Sequence, residues 1–256
     1  GVTATGGQLL FVEATRSKGS GRLTITGQLG EVMRESVSTA MSLLRSKIYY
    51  AILAANGEAR PIVRVGPASA AVGTDVVAEP TALSAGSLAT EAPGRFQEVF
   101  HQLIAQADAS KDPFGNDDIH VHFPAGAIPK DGPSAGVATA LALASLLLGR
   151  PVRSDTAVTG EITLRGHVLP VGGVRDKVLA AHRAGVRHVL LPFGNQRHVK
   201  DDIPASAVAD VELHFVKHID EALAWAFAES VRPWAPAAPA PGPGPATPAL
   251  GGHSRL

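Results

Sequence analysis

The chain has 256 residues, a formal net charge of zero and no cysteine. This length allows one domain with a sizeable core, and 45% apolar against 18% charged residues indicates a globular rather than a disordered chain. The balanced charge does not favour a nucleic-acid partner or an anionic membrane surface, and the missing cysteine excludes disulfides and thiolate metal sites.

The longest apolar run, residues 137–148, is too short to cross a bilayer. No basic and apolar leader opens the chain, so neither a signal peptide nor a membrane partner is expected. Because the first residue is Gly1 rather than Met, we expect an excised or processed piece of a longer protein.

The first half alternates β-forming and turn-forming stretches before a long helix. Residues 8–14 and 22–27, separated by a turn rich in Gly and Ser, predict a β-hairpin. Helical spacing over residues 31–55 puts Met33, Val37, Met41 and Leu44 on one stripe. Residues 56–91 are rich in Ala, Gly, Ser, Val and Pro and predict a surface insertion, and residues 95–109 regain helical spacing.

The second half is more regular. The patterns predict a strand over 118–123, a proline-containing loop over 124–133, and a helix over 134–148 that is apolar nearly all round and therefore buried. They also predict a hairpin from 157–164 and 167–170, a helix over 175–184, strands over 186–191 and 212–216, and a helix over 219–230. From residue 232 onward Pro, Ala and Gly predominate, which is typical of a disordered tail.

Ser134 follows Pro133 and leads the apolar helix. The first N–H groups of a helix lack internal partners, so they would surround the Ser134 hydroxyl and anything bonded to it. An oxyanion formed by attack on a carbonyl would meet those donors and the positive end of the helix dipole. Gly132 and Gly136 leave space for an extended substrate. Serine is also a favoured N-cap, so this position alone describes an ordinary helix start equally well.

A serine nucleophile needs a base, and Lys177 is a candidate. A lysine serves only when neutral, whereas its free pKa is about 10.4. Lys177 lies in the first turn of a predicted helix and borders an apolar stripe, where burial and the helix dipole would both lower its pKa. Asp176 would oppose that shift if it turned toward the amine. A solvated lysine on an amphipathic helix is the alternative interpretation.

Four ordered motifs resemble the proteolytic domain of Lon proteases of the bacterial and mitochondrial type. They are LTITGQLGEVMRES at 23–36, PKDGPSAG at 129–136, TGEITLRG at 159–166 and VLPVGGVRDKVLAAHRAG at 168–185. The resemblance covers about residues 1–48 and 117–229. It implies an α+β fold of mixed sheets, with a buried nucleophile helix and a lysine-bearing helix, unrelated to the classical serine proteases.

The resemblance also implies roles for individual residues. Ser134 matches the nucleophile and Lys177 the general base. Thr159 matches a threonine that hydrogen-bonds the lysine amine, and Asp131 lies in a loop that reorganises between inactive and active forms. Positions with supporting roles match Glu13, His120 and His122, and the oxyanion and substrate loop matches Gly132, Pro133 and Ala135.

The resemblance further predicts one Lon-type serine peptidase domain over residues 1–230, with an atypical insertion at about 47–116 and a disordered tail over 231–256. No G-x-x-x-x-G-K-[ST] phosphate loop occurs in the chain, so the ATPase module is absent from it. ATP and Mg²⁺ are expected only for that module, and no cofactor or metal is expected in this domain. This piece alone should cleave peptides weakly and without ATP.

In the full-length protein the resemblance implies ATP-dependent degradation of unfolded or damaged proteins, as part of protein quality control, by a hexameric ring. We expect the bacterial cytoplasm rather than the mitochondrial matrix as the compartment. No nucleic-acid partner is expected.

Two other chemical interpretations stay open. Residues 132–136 also read G-x-S-x-G, the nucleophile elbow of α/β-hydrolases, with acidic and imidazole partners in the required order at Asp176 or Asp201 and then His214 or His218. An elbow needs a strand that ends directly at the serine, whereas the loop 124–133 is predicted to intervene. His120-x-His122 could be half a metal site, although no third ligand at suitable spacing is evident.

A non-enzymatic interpretation also remains. The domain could form a ring or hold substrate with its catalysis latent or lost. Hydrolysis of a fluorogenic peptide, compared with Ser134→Ala, distinguishes this possibility from a peptidase.

Overall fold

The computed structural model describes residues 2–3, 6–57, 112–124, 131–204 and 208–227. The helix predicted over 95–109, all but the first two residues of the stretch 56–91, and the predicted tail lie outside these ranges. The domain bounds predicted from the resemblance stay a prediction.

Helices and strands of the described residues form an α+β arrangement of small sheets and packed helices. The strands are β1 Val2–Thr3, β2 Gly6–Gly7, β3 Glu13–Lys18, β4 Leu23–Thr26, β5 Asp117–His122, β6 Thr156–Val158, β7 Glu161–Ile162, β8 Val168–Leu169, β9 His188–Pro192 and β10 Glu212–Val216. The α-helices are α1 Glu31–Ala55, α2 Gly136–Leu148, α3 Val174–Arg183, α4 Gln196–Asp202 and α5 Ile219–Phe227, and short 3₁₀ turns cover Pro133–Ala135 and Phe193–Asn195.

The first sheet shows that the predicted hairpin over 8–14 and 22–27 is wrong. β5 lies between β3 and β4, antiparallel to β3 and parallel to β4. The carboxylate of Asp118 on β5 accepts hydrogen bonds from the N–H groups of Ser20 and Arg22, both at 2.8 Å. These bonds to Arg22 and Ser20 lower the pKa of Asp118. The turn between β3 and β4 therefore closes around a strand from far along the chain, which a local pattern does not reveal.

The second sheet is parallel and has the order β10–β9–β6. Leu190 on β9 lies opposite Val158 of β6 and His214 of β10. Leu190 faces the core that contains α2 and α5, whereas its neighbours Val189 and Leu191 face the core formed with α3 and α4. The sheet is therefore covered by helices on both faces, as the βαβ connections through α3 and α4 require.

The second predicted hairpin is confirmed only in part. β7 and β8 pair antiparallel, with Ile162 opposite Val168. The residues before them leave this hairpin and join the second sheet as β6. As a result, Thr159, which directly follows β6, lies between the second sheet and the β7–β8 hairpin.

α2 is buried as its apolar sequence predicts. Val137, Ala140 and Leu143 are fully buried, and the helix packs against α1, α5 and β3. It ends at Gly149, whose φ of 60° is the left-handed conformation that glycine adopts at a helix C-terminus. In the described part of the chain, no helix is both long and apolar enough to cross a membrane.

Truncating α2 should test its role as the central core element. Leu143 is 0% exposed, whereas Leu164 is 61% exposed, so the same Leu→Ala change has a matched control. We expect Leu143→Ala to lower the free energy of unfolding by about 2 to 5 kcal/mol through lost burial and a residual cavity. Leu164→Ala should change it by less than about 0.5 kcal/mol. Urea denaturation measures both, and equal midpoints for the two variants would contradict the assignment of α2 to the core.

Candidate active site

Ser134 lies in the 3₁₀ turn that leads into α2. The turn is preceded by Gly132, whose φ of 131° disfavours any residue with a Cβ, and Pro133 supplies its first position. The Ser134 carbonyl accepts a hydrogen bond from Gly160 N at 3.0 Å, and Val137 N donates to the Gly160 carbonyl at 3.1 Å. These reciprocal bonds fix the serine turn against the segment that follows β6.

The loop before Ser134 is attached to the start of α1 by a carboxylate. Asp131 Oδ1 accepts from Gly132 N at 2.9 Å and from Met33 N at 3.1 Å, so it caps a free N–H of the first turn of α1. A Cβ on Gly30 would lie 2.2 Å from the Asp131 carboxyl carbon, so this approach requires a glycine. Ser36 Oγ also donates to the Pro133 carbonyl at 3.3 Å.

Lys177 projects from the beginning of α3. Its backbone N–H makes an early hydrogen bond of that helix, to the Gly173 carbonyl at 3.1 Å. Its side chain is half-buried, and burial lowers the pKa of the Lys177 amine below its ordinary value. The amine is therefore closer to neutrality in the folded chain than a solvated lysine would be.

Thr159 connects the two candidate residues. Lys177 Nζ donates to Thr159 Oγ1 at 3.2 Å, and Thr159 Oγ1 donates to the Ser134 carbonyl at 3.3 Å. Thr159 is only 8% exposed, and its N–H donates to the Leu190 carbonyl of β9 at 3.2 Å. The second sheet thus fixes the threonine, and the threonine orients both the lysine amine and the serine turn.

Ser134, Lys177 and Thr159 all line one cavity of about 1080 Å³. The Ser134 hydroxyl and the Lys177 amine are not hydrogen-bonded to each other. Glu13 and Asp131 also line this cavity. The remaining wall is largely apolar and comes from residues 8–14, from α2 and from residues 151–158. A cavity of this size and polarity can accommodate several residues of an extended peptide.

His120 and His122 do not line this cavity, although His122 lies opposite Glu13 in the sheet. Both belong to β5, and Thr26 Oγ1 is 2.8 Å from His120 Nε2 and 2.7 Å from His122 Nδ1. Among the described residues, neither imidazole lines the cavity of Ser134. The Thr26 hydroxyl therefore gives one ring nitrogen of each histidine a hydrogen-bond partner, so these two contacts do not call for a metal ion.

The geometry does not favour a nucleophile elbow. β5 ends at His122, and Ser134 belongs to a 3₁₀ turn rather than directly following a strand. His214 interacts with His188, and His218 contacts the Arg165 carbonyl at 2.9 Å. Of the imidazoles in the described ranges, none lines the cavity that contains Ser134.

Sequence reasoning missed the positioning roles of Ser36 and Gly160. Ser36 is a buried polar residue of α1, three positions after the buried Met33. A serine at the edge of a predicted apolar stripe was the available signal. Gly160 gave no such signal, because its role consists of backbone hydrogen bonds to the serine turn.

Comparison with known proteins identifies the family of the chain. A family model described as the Lon protease (S16) C-terminal proteolytic domain matches residues 1–73 and 85–229. Lon protease of Anaeromyxobacter dehalogenans is 43% identical over 240 residues, which are 93% of this chain and 22% of that protein. Lon protease of Phenylobacterium zucineum is 44% identical over 221 residues, which are 86% of the chain and 21% of that protein.

A relative from a eukaryote shows similar identity. The rat protein named Lon protease homolog 2, peroxisomal, is 42% identical over 225 residues, which are 88% of this chain and 20% of that protein. The chain spans about a fifth of the length of these relatives. On the strength of the family model and of these identities, the chain belongs to the family of Lon C-terminal proteolytic domains.

Proposed function

We propose that this chain is a serine endopeptidase domain in which Ser134 is the nucleophile and Lys177 the general base. The observation that carries the proposal is the half-buried Lys177 amine, whose pKa is lowered and which shares Thr159 and one cavity with Ser134. A lysine that is easily made neutral, next to a serine at a helix start, is the arrangement a serine–lysine hydrolase needs.

The proposed reaction begins with proton transfer from Ser134 Oγ to the neutral amine of Lys177. This step requires the two atoms to come within hydrogen-bond reach, and the shared cavity and the common contact with Thr159 keep the two residues in one place. The serine oxygen then attacks a peptide carbonyl, and Lys177 returns the proton to the leaving amine. Lys177 next takes a proton from water, which hydrolyses the acyl-enzyme.

The backbone of the serine turn supplies donors for the developing oxyanion. In this turn Gly136 N bonds to the Pro133 carbonyl and Val137 N to the Gly160 carbonyl. The N–H groups of Ser134 and Ala135 are therefore the candidates in this turn, at the positive end of α2. A preorganised donor of this kind contributes about 3 kcal/mol to transition-state stabilisation.

The substrate class follows from the apolar cavity and the family. An extended, unfolded segment presents accessible peptide bonds and apolar side chains to such a wall, so unfolded or damaged proteins are the proposed substrates. In the longer protein we propose a hexameric ring joined to an ATPase module that supplies ATP and Mg²⁺ chemistry, with no cofactor in this domain. The bacterial cytoplasm stays our expectation for the compartment; the relatives include bacterial proteins and also one named as peroxisomal.

Removing either member of the pair should abolish hydrolysis. We expect Ser134→Ala and Lys177→Arg to lower the cleavage rate of a quenched fluorogenic peptide by at least about 1000-fold, because arginine stays protonated. Lys18→Arg, at an exposed position of β3, is the matched control and should keep the wild-type rate. Near wild-type turnover by Lys177→Arg would contradict the base assignment. Equal background rates for wild type and Ser134→Ala would favour the non-enzymatic interpretation.

The wild-type rate should also depend on pH in a defined direction. Because the amine acts in its neutral form, the cleavage rate should rise between pH 6 and pH 9 as Lys177 deprotonates. A flat rate across that range would rule out a titrating amine as the base.

Thr159 should act as a positioning residue. Thr159→Val removes the acceptor of the amine and the donor to the Ser134 carbonyl, while keeping the shape of the side chain. We expect kcat to fall by about 10- to 100-fold with little change in KM, because both reacting groups lose their orientation. Thr159→Ser keeps the hydroxyl and should retain most of the activity. If Thr159→Val keeps most of the activity and Thr159→Ser loses it, packing of the methyl group, rather than the hydroxyl, is what matters.

Burial of the Lys177 amine should be measurable as a cost in stability. The pKa of Lys177 is lower in the folded chain than in the unfolded chain. At a pH between these two pKa values the unfolded chain holds a proton on Lys177 that the folded chain has lost, so the free energy of unfolding rises with pH. Lys177→Met removes this dependence. The variant should therefore gain most relative to wild type at neutral pH, and the gain should shrink as the pH approaches the ordinary lysine value.

Urea denaturation at pH 7, 8.5 and 10 provides the measurement. Lys18→Met on the exposed strand β3 is the control and should show no such pH dependence. A stability difference between Lys177→Met and wild type that stays constant across these pH values would refute the buried-amine argument.

A further inference from the structure

A second cluster of chemically capable side chains lies on the parallel sheet, outside the cavity of Ser134. His188 begins β9, and Glu212 and His214 belong to β10. Glu212 is the register partner of His188, and Glu212 and His214 are two residues apart on one strand. Because side chains alternate along a strand, all three project from the same face of the sheet.

The three side chains converge on one point. His188 Nδ1 is 3.1 Å from His214 Nε2 and 3.5 Å from Glu212 Oε2, and His214 Nε2 is 3.8 Å from the same oxygen. A point equidistant from these atoms lies about 2 Å from each, which is the bond length of Zn²⁺ to imidazole nitrogen and carboxylate oxygen. All three ligand atoms lie within 4.8 Å of one another, as three ligands of one ion do.

The surroundings resemble those of a metal ligand rather than of a solvated histidine. The Asp155 carboxylate lies 3.7 Å from His188 Nε2, the ring nitrogen that does not face the cluster. Arg153 binds that carboxylate through two hydrogen bonds, at 3.0 and 2.9 Å, and fixes its position. At 3.7 Å this carboxylate is beyond direct hydrogen-bond distance, but it places a negative charge behind the imidazole, where metal-ligating histidines commonly have a carboxylate. The Trp225 ring packs on the imidazole of His214, with the two ring centroids 3.7 Å apart, and so covers one face of that imidazole.

We propose that His188, Glu212 and His214 form a binding site for a transition-metal dication of the zinc class. Two imidazoles and one carboxylate leave a fourth position of a tetrahedral ion open to water. Imidazole ligands favour Zn²⁺, Ni²⁺ and Cu²⁺ over Mg²⁺ and Ca²⁺. The ion ties β9 to β10, so it acts on the stability of the sheet. None of the three ligands lines the cavity of Ser134, so the site is separate from the proposed peptidase chemistry.

Zinc binding by the chelator-treated chain is the direct test. We expect calorimetric titration to give one tight equivalent of Zn²⁺, no comparable binding of Mg²⁺, and a higher melting temperature with Zn²⁺. Glu212→Gln and His214→Gln should each weaken Zn²⁺ binding by at least about 10-fold. His198→Gln is the matched control, because His198 is exposed on α4 and is not part of the cluster.

A spectroscopic readout locates the ion independently of affinity. The chain has 2 tryptophans, so Trp234→Phe leaves Trp225 as the only tryptophan, which is excited selectively over the 2 tyrosines at long wavelength. Cu²⁺ bound beside His214 should quench Trp225 fluorescence at one equivalent, and Glu212→Gln should shift that quenching to at least about 10-fold higher Cu²⁺ concentration.

Two results would overturn the site. One is Zn²⁺ affinity unchanged in both Glu212→Gln and His214→Gln, which would assign binding to other surface histidines. The other is the absence of a one-equivalent site in the wild-type chain. Should His214→Gln fail to fold, Glu212→Gln decides alone, because the Glu212 side chain is 70% exposed and its loss leaves the packing intact. Peptide cleavage serves as a separate readout, since these substitutions leave Ser134 and Lys177 in place.

Discussion

The hydroxyl of Thr159 is the interaction on which the candidate site depends. It accepts from the Lys177 amine and donates to the carbonyl of Ser134, while its own N–H is bonded to β9. One buried side chain therefore couples α3, the serine turn and the parallel sheet. A hydroxyl suits this position because it is donor and acceptor at once, whereas an amide or carboxylate would add bulk or charge beside the amine.

The same arrangement places a cost on the fold. Burial of Lys177 disfavours its charged form, and the amine has one hydrogen-bond acceptor, Thr159, among the described residues. The surrounding structure offsets this cost with ordinary apolar packing, in which α2 buries one side against α1 and α5. Functional sites in proteins commonly lower the free energy of unfolding locally, and apolar packing elsewhere compensates for it.

Much of the fold follows from local sequence patterns. The bounds of α1 and β10 match their predictions, and α2 differs only because its first turn is a 3₁₀ turn beginning at Pro133. The apolar periodicity of these segments coincides with their final burial, so local and global preferences agree. The hairpin over residues 8–14 and 22–27 failed because β5 inserts between its strands, and α4 was missed because its sequence is largely polar.

The candidate site was predictable to a different degree. Ser134 and Lys177 could be singled out from helix starts and from the resemblance, because each carries its signal in neighbouring residues. The contact of Thr159 with the Lys177 amine was implied only by the resemblance, since nothing near Thr159 in sequence encodes a hydrogen bond to α3. Its hydrogen bond to the Ser134 carbonyl was not predicted. His120 and His122 were expected near the site on the resemblance alone; both contact Thr26, and His122 lies opposite Glu13, which lines the cavity.

Both sites depend on the parallel sheet, at opposite ends of its strands. Asp155 and His188 stand where β6 and β9 begin, and Thr159 stands where β6 ends. Sites at the carboxyl ends of parallel strands are the common place for chemistry, because the following loops converge there. β6 is short, so about 10 Å of strand separates the two ends. A metal ion at the amino ends would stabilise the strand that supports Thr159 without entering the cavity, so it would change the stability of the proposed peptidase site without taking part in the proposed chemistry.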